Sequence, residues 1–138
     1  MPQDHVSGAA GAQFGHECAP RVMEALGARP LGPPSNKCVW KGKVVVVKCA
    51  QKKRSPDPQI GVLTAMLPEV ESVVGVFQNS GQEFAVMEMP VEVYRRHAYA
   101  KAADEKRAAQ HMMKRSVFTE YGEPVRTLVF DPPLRSVE

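Results

Sequence analysis

The chain lacks most of the features that announce a chemistry. Its three cysteines, Cys18, Cys38 and Cys49, make an odd count with no C-x-x-C spacing, which argues against a disulfide framework and a zinc ribbon and leaves three reduced thiols. The histidines His5, His16, His97 and His111 are scattered, with no i, i+4 pair to hold a metal from one helix face, so no metal ligand is assigned. Neither a G-x-x-x-x-G-K-S/T loop nor a G-x-G-x-x-G fingerprint occurs, which sets aside nucleotide hydrolysis and dinucleotide use. Long apolar runs are missing too. Val44 to Val47 and Ile60 to Leu67 fall far short of the roughly 20 residues needed to cross a bilayer. The opening Met1-Pro2-Gln3-Asp4-His5 lacks the basic and then apolar pattern of a secretory signal. The expectation is a cytoplasmic, intracellular protein with no membrane partner.

What remains has an ordinary globular composition, 43% hydrophobic and 24% charged over 138 residues, long enough for one core without a staple. The net charge of +3 is modest, but its distribution is uneven. Lys37, Lys41, Lys43, Lys48, Lys52, Lys53 and Arg54 fall between Asn36 and Arg54 with no acid among them. Such a block either grips phosphates, each cation displacing a condensed counterion, or is merely a solvated surface.

Residues 1–13 are rich in Gly, Ala and Ser and read as a flexible tail, and 131–138 read as a second one, leaving 14–130 as a single α/β domain. Phe14, Cys18, Val22, Met23 and Leu26 recur at helical spacing, with Gly27 as a stop and Pro20 placing the start of the helix later than Phe14. Cys38-Val39-Trp40 and Val44 to Val47 flank Lys41-Gly42 as a hairpin. Four valines in a row place the second strand centrally, with both faces covered. The spacing of Ile60, Leu63 and Leu67 predicts a short helix over 59–67, ended by Pro68. A second hairpin is expected from Ser72 to Gln78 and Glu83 to Met89 around Asn79-Ser80-Gly81-Gln82. Pro90 should open a short helix through His97, Ala100 to Lys114 should form a solvated helix, and Val125 to Phe130 a last strand. The fold class is α+β: an N-terminal helix, a mixed central sheet built from two hairpins, flanking helices and a C-terminal strand.

This order carries a resemblance. "NKCVWKGKVVVVKCA", Asn36 to Ala50, resembles the core hairpin of the restriction-endonuclease-like superfamily, the PD-(D/E)xK nucleases, in which one strand carries an Asp and the next Glu-x-Lys. "ESVVGVFQNSGQEFAVMEMPVEVY", Glu71 to Tyr94, resembles the hairpin and "P-x-E" helix that follow in small members. In that chemistry two carboxylates hold a divalent cation that generates hydroxide, while the lysine steadies charge. Laid on this chain, the motif puts Lys48 at the lysine but Val46 at the Glu and Cys38, or else Asn36, at the Asp. Glu17 matches a helical acid of resolvase-like members. Hairpin register is a check: a two-residue turn pairs Cys38 with Val45, away from the Lys48 face, whereas a three-residue loop sets Cys38 beside Lys48.

The resemblance implies a DNA-binding, nuclease-like domain whose catalytic candidates are Lys48 and Glu17, with Mg²⁺ or Mn²⁺ needed only if it cleaves. The basic candidates for holding nucleic acid, DNA first, are Lys41, Lys43, Lys48, Lys52, Lys53 and Arg54. Two alternatives stand beside it. One is an active nuclease with an unusual acid set of Glu17 and Glu71 or Glu88. The other is a protein-interaction or assembly module, a homodimer included, acting through the Ala100 to Arg115 helix and Met112-Met113.

Overall fold

The structure is a computed structural model that describes residues 2–32, 36–53 and 55–137, with side chains from residue 13 onward. Its first element, α1 (Pro2–Leu26), is longer than the sequence predicts and runs through the segment expected as a tail. Pro20 sits inside it, on the exposed side. The buried stripe of Phe14, Cys18, Ala19, Val22 and Met23 continues on both sides of the proline, and that burial offsets the hydrogen bond a proline removes, a loss of about 3 kcal/mol. The helix stops where Gly27 takes φ 71°. There the N–H of Gly27 reaches Glu24 O and that of Ala28 reaches Met23 O, the paired bonds of a Schellman cap.

The chain then forms β1 (Arg29–Pro30), β2 (Lys37–Trp40), β3 (Lys43–Ala50), β4 (Gln59–Leu63), a 3-10 helix (Thr64–Glu69), β5 (Ser72–Ser80), β6 (Glu83–Pro90), α2 (Val91–His97), β7 (Tyr99–Lys101), β8 (Gln110–Lys114), α3 (Arg115–Tyr121) and β9 (Glu123–Val129). Six strands make a mixed sheet in the order β1-β2-β3-β5-β6-β9, and β4-β8-β7 make a smaller one. Both expected hairpins form, and β3 lies centrally, antiparallel to β2 and parallel to β5.

The four valines of β3 show why the sheet is central. Val45 and Val47 enter a core with α1, whereas Val46 enters a second core with β4, β8, α2 and α3. The molecule is therefore three layers: α1, the large sheet, and the small sheet with the two short helices. Trp40 and Phe84 belong to the first core; Tyr94 and Phe118 belong to the second.

Three expectations are corrected by this arrangement. Residues 59–63 form a strand, because Ile60 and Val62, not Ile60 and Leu63, share the buried face with period two. Gly61 allows it: a Cβ there would lie 2.7 Å from Met112 Sδ on the paired strand. The 3-10 helix follows and includes Pro68. The solvated helix over 100–114 is absent. Its strong helix formers offer no apolar stripe to bury, so propensity yields to strand pairing of β8 with β4, which buries Met113. The Asp104 carboxylate holds the intervening turn, accepting from Lys106 N and Arg107 N at 2.8 Å each. Finally, the segment after β9 is a strap rather than a tail, since Leu134 and Val137 are buried in the first core.

Candidate nucleic-acid interface

The basic block is continuous in sequence but divided in space. Eight residues of extended β3, rising about 3.3 Å each, separate its ends by roughly 23 Å. At one end Lys41 (φ 53°) and Gly42 (φ 75°) make the two-residue turn, and the Lys41 ammonium lies 4.4 Å from the Trp40 ring centroid. Acids surround that end. Lys43 pairs with Glu88 and Lys37 with Glu69, while Glu71 accepts from Val44 N at 3.0 Å. Two of the three lysines there are matched by carboxylates, leaving little free positive charge.

At the other end the chain leaves β3 and its backbone is held by Gln78, whose Oε1 accepts from Lys52 N at 2.8 Å and whose Nε2 donates to Gly81 O at 2.9 Å. The loop is anchored further on by Asp57, which accepts from Ser116 N and Ser116 Oγ at the start of α3. Those bonds, that of the hydroxyl first, hold the Asp57 carboxyl below the usual carboxylate range. Arg115 reaches Gln78 O and Asn79 Oδ1.

The strap closes this end from the α1 side. Gln82 Oε1 accepts from Leu134 N at 2.7 Å, and the Glu17 carboxylate accepts from Arg135 N, Ser136 N and Ser136 Oγ. The result is an open cleft of about 520 Å³ lined by Gln13, Gln51, Lys52, Lys53, Gln78, Arg135, Ser136 and Val137. Lys52, Lys53 and Arg135 are exposed, and no carboxylate lines the cleft among the described residues.

The two catalytic candidates do not meet. Cys38 pairs with Val45, the two-residue register, so Cys38 stands on the face opposite Lys48. Lys48, paired with Gly75, points to the second-core face, while Glu17 belongs to α1 on the other side of the sheet. Lys48 is half-buried, and that burial holds its ammonium below the ordinary lysine range. Glu17 is committed to the strap, and its carboxyl is likewise held low, chiefly by the Ser136 hydroxyl. Glu71 sits beside the turn on Val44 N, and Glu88 on β6, opposite Val74, is paired with Lys43, so the unusual acid set is dispersed. Among the described residues no three His, Cys, Asp or Glu side chains come together in a way that could hold a metal ion.

Of the basic candidates, Lys52 and Lys53 share the cleft, Lys41 and Lys43 lie at the far end, Lys48 lies between them, and Arg54 falls outside the described residues. Arg135 and Arg115 are the cations that sequence reasoning missed. Arg135 enters from a strap that reads as a tail, and the only available sign was the apolar pair Leu134 and Val137 on either side of it. Cys49 faces α1, and burial together with contact from Cys18 pushes its thiol well up, the condition of an inert cysteine. Comparisons with protein-family models, with curated proteins and with solved structures found no match.

Proposed function

We propose that the chain is a nucleic-acid-binding domain, DNA being the first ligand to test, and that it binds through the cleft at the C-terminal end of β3. The observation that carries this reading is the meeting of Lys52, Lys53 and Arg135 from two distant parts of the chain, with no described carboxylate in the lining. None of the three forms an ion pair among the described residues, and cations without one keep their charge available for phosphate oxygens, the sequence-independent source of most nucleic-acid affinity. The restriction-endonuclease-like resemblance enters the proposal as a scaffold only; Lys48 and Glu17 have no shared catalytic role in it. The protein-interaction alternative loses its main support, since the helix it relied on is a strand, a loop and a second strand.

The test is fluorescence anisotropy of a labelled DNA duplex titrated with the protein over a range of salt. Affinity should fall linearly in log salt, and Lys52→Ala with Lys53→Ala should flatten the slope by about two units, one per lost phosphate contact. Lys41→Ala with Lys43→Ala should leave it nearly unchanged. Equal loss in both pairs, or no binding at low salt, would remove the cleft from consideration.

A further inference from the structure

The small sheet has one face in the protein and one face outward. Ile60 and Val62 of β4 and Met113 of β8 are buried in the second core. The residues alternating with them, together with Tyr99 and Lys101 of β7, form an outward face on which none is buried. The register arranges that face in rows. The middle row is Gly61, Met112 and Tyr99; Lys114 and Gln59 flank it on one side, and Lys101, Gln110 and Leu63 on the other.

Tyr99 is laid across this face. Its hydroxyl donates to Gln59 Oε1 at 2.7 Å, although β8 lies between β7 and β4 and the two outer strands are about 9.6 Å apart. A ring that bridges such a gap crosses the middle strand instead of standing up from it. Tyr99 is nevertheless 50% exposed, so the ring is held in place with an open side. A base stacks on the π face and not on the hydroxyl, and a ring already fixed has little freedom left to lose on binding. Gly61 keeps the floor low beside it, with Gln110 Oε1 and Met112 Sδ folded into the space a Cβ would take.

The polar groups around the ring suit a nucleic-acid strand. No acid occurs in β4, β7 or β8. Lys101 and Lys114 stand on either side of Tyr99, roughly 13 Å apart along the strands. Asp104 and Asp57 lie at the margins near these lysines but bond to the loop backbone and to Ser116, and neither lysine forms an ion pair among the described residues. Gln59 Nε2 and the Gln110 amide have no hydrogen-bond partner among the described residues, which leaves donors and an acceptor for a base edge. The face also adjoins the cleft: Arg115, next after Lys114, donates to Gln78 O at 3.1 Å, and Gln78 lines the cleft.

From the fixed ring, the unpaired lysines and the free amides we infer that the outer face of the small sheet is a stacking platform for an unpaired base of a single nucleic-acid strand, with Lys101 and Lys114 on its phosphates. The inference rests on the nucleic-acid reading above and adds a second surface with its own ligand. A duplex hides its bases and gains nothing from the ring.

The experiment titrates the full chain against a labelled single DNA strand of mixed sequence and against its duplex, at several salt concentrations, with each variant first checked for an unchanged melting temperature. Tyr99→Ala should weaken single-strand binding at least about 5-fold and duplex binding by less than about 2-fold, whereas Tyr99→Phe, which keeps the ring, should stay within about 3-fold of the parent on both. Lys101→Ala with Lys114→Ala should reduce the single-strand salt slope by about 1.4, at about 0.7 per contact. Full single-strand affinity in Tyr99→Ala, equal loss on strand and duplex, or binding of the duplex alone overturns this inference while leaving the cleft in place. A dimer in sedimentation equilibrium that Tyr99→Ala dissolves assigns the face to a second copy of the chain and overturns it likewise. Absence of binding to strand and duplex overturns both readings.

Discussion

The two ends of β3 carry the same residue types in opposite electrostatic settings. At the turn end Lys37 and Lys43 each meet a carboxylate supplied by another element, and Lys41 lies over Trp40. At the cleft end Lys52 and Lys53 are joined by a third cation, Arg135, and none of the three forms an ion pair among the described residues; Asp57 and Glu17 are charged there but hydrogen-bond Ser116 and the strap. The difference teaches that the sign of a sequence block does not decide the sign of a surface. What the acids brought in by the fold contact decides it: at the turn end they pair with lysines, whereas at the cleft end Asp57 and Glu17 fasten Ser116 and the strap.

The largest effect expected on this contrast comes from the strap. Leu134→Ala removes a buried side chain from the first core and should cost about 3 kcal/mol, seen as a lower urea midpoint with an unchanged m-value. It should also weaken DNA binding by loosening Arg135. A loss of stability with full affinity would separate the strap from the cleft. A smaller effect, and one that erodes the contrast from the other side, is expected of Glu88→Gln. The Glu88 and Lys43 side chains are 16% and 32% exposed, so leaving Lys43 unmatched should cost about 1–2 kcal/mol, less than for a fully buried pair. The freed lysine should give the turn end a weak, salt-sensitive affinity of its own; an unchanged salt slope would show that Glu88 is not what silences that end.

The smallest effect concerns pH. The folded-state carboxyl of Glu17 is held low, first by the Ser136 hydroxyl. Its contribution is therefore fully present above the ordinary glutamate value of about 4.3 and is lost as the pH falls through the depressed value. The amide resonances of Arg135 and Ser136, followed by NMR from pH 6 downward, should shift together in that acid range. The same shifts should be flat in Glu17→Gln. Amides that do not titrate in the parent protein would show that the strap is not anchored through this carboxylate.

Much of the scaffold was readable because it rests on local patterns. The two hairpins follow from their turn residues, and the central place of β3 follows from four valines that need cover on both faces. The failures have a common physical origin. Ile60, Leu63 and Leu67 do fit a helical period, but the strand uses Val62, and only the partner strand β8 decides between the two. Ala100 to Lys114 has helical propensity without a face to bury, so a weak local preference gives way to pairing. The site was half readable. Lys52 and Lys53 are evident in the run of charge, whereas Arg135 lies more than 80 residues away in sequence and reaches them only through a strap held by side chains. Glu17 was singled out as a catalytic acid, and its carboxylate instead fastens that strap.

The alternation of the β3 valines between two cores ties the melting of the two sides of the molecule together. Neither core can lose its packing while β3 stays in place for the other, so the three layers should unfold as one cooperative unit. The chain carries its own reporters for this: Trp40, its single tryptophan, in one core and Tyr94 in the other. Tryptophan fluorescence and tyrosine near-ultraviolet dichroism should trace one transition with a common midpoint, because both readouts depend on the same strand.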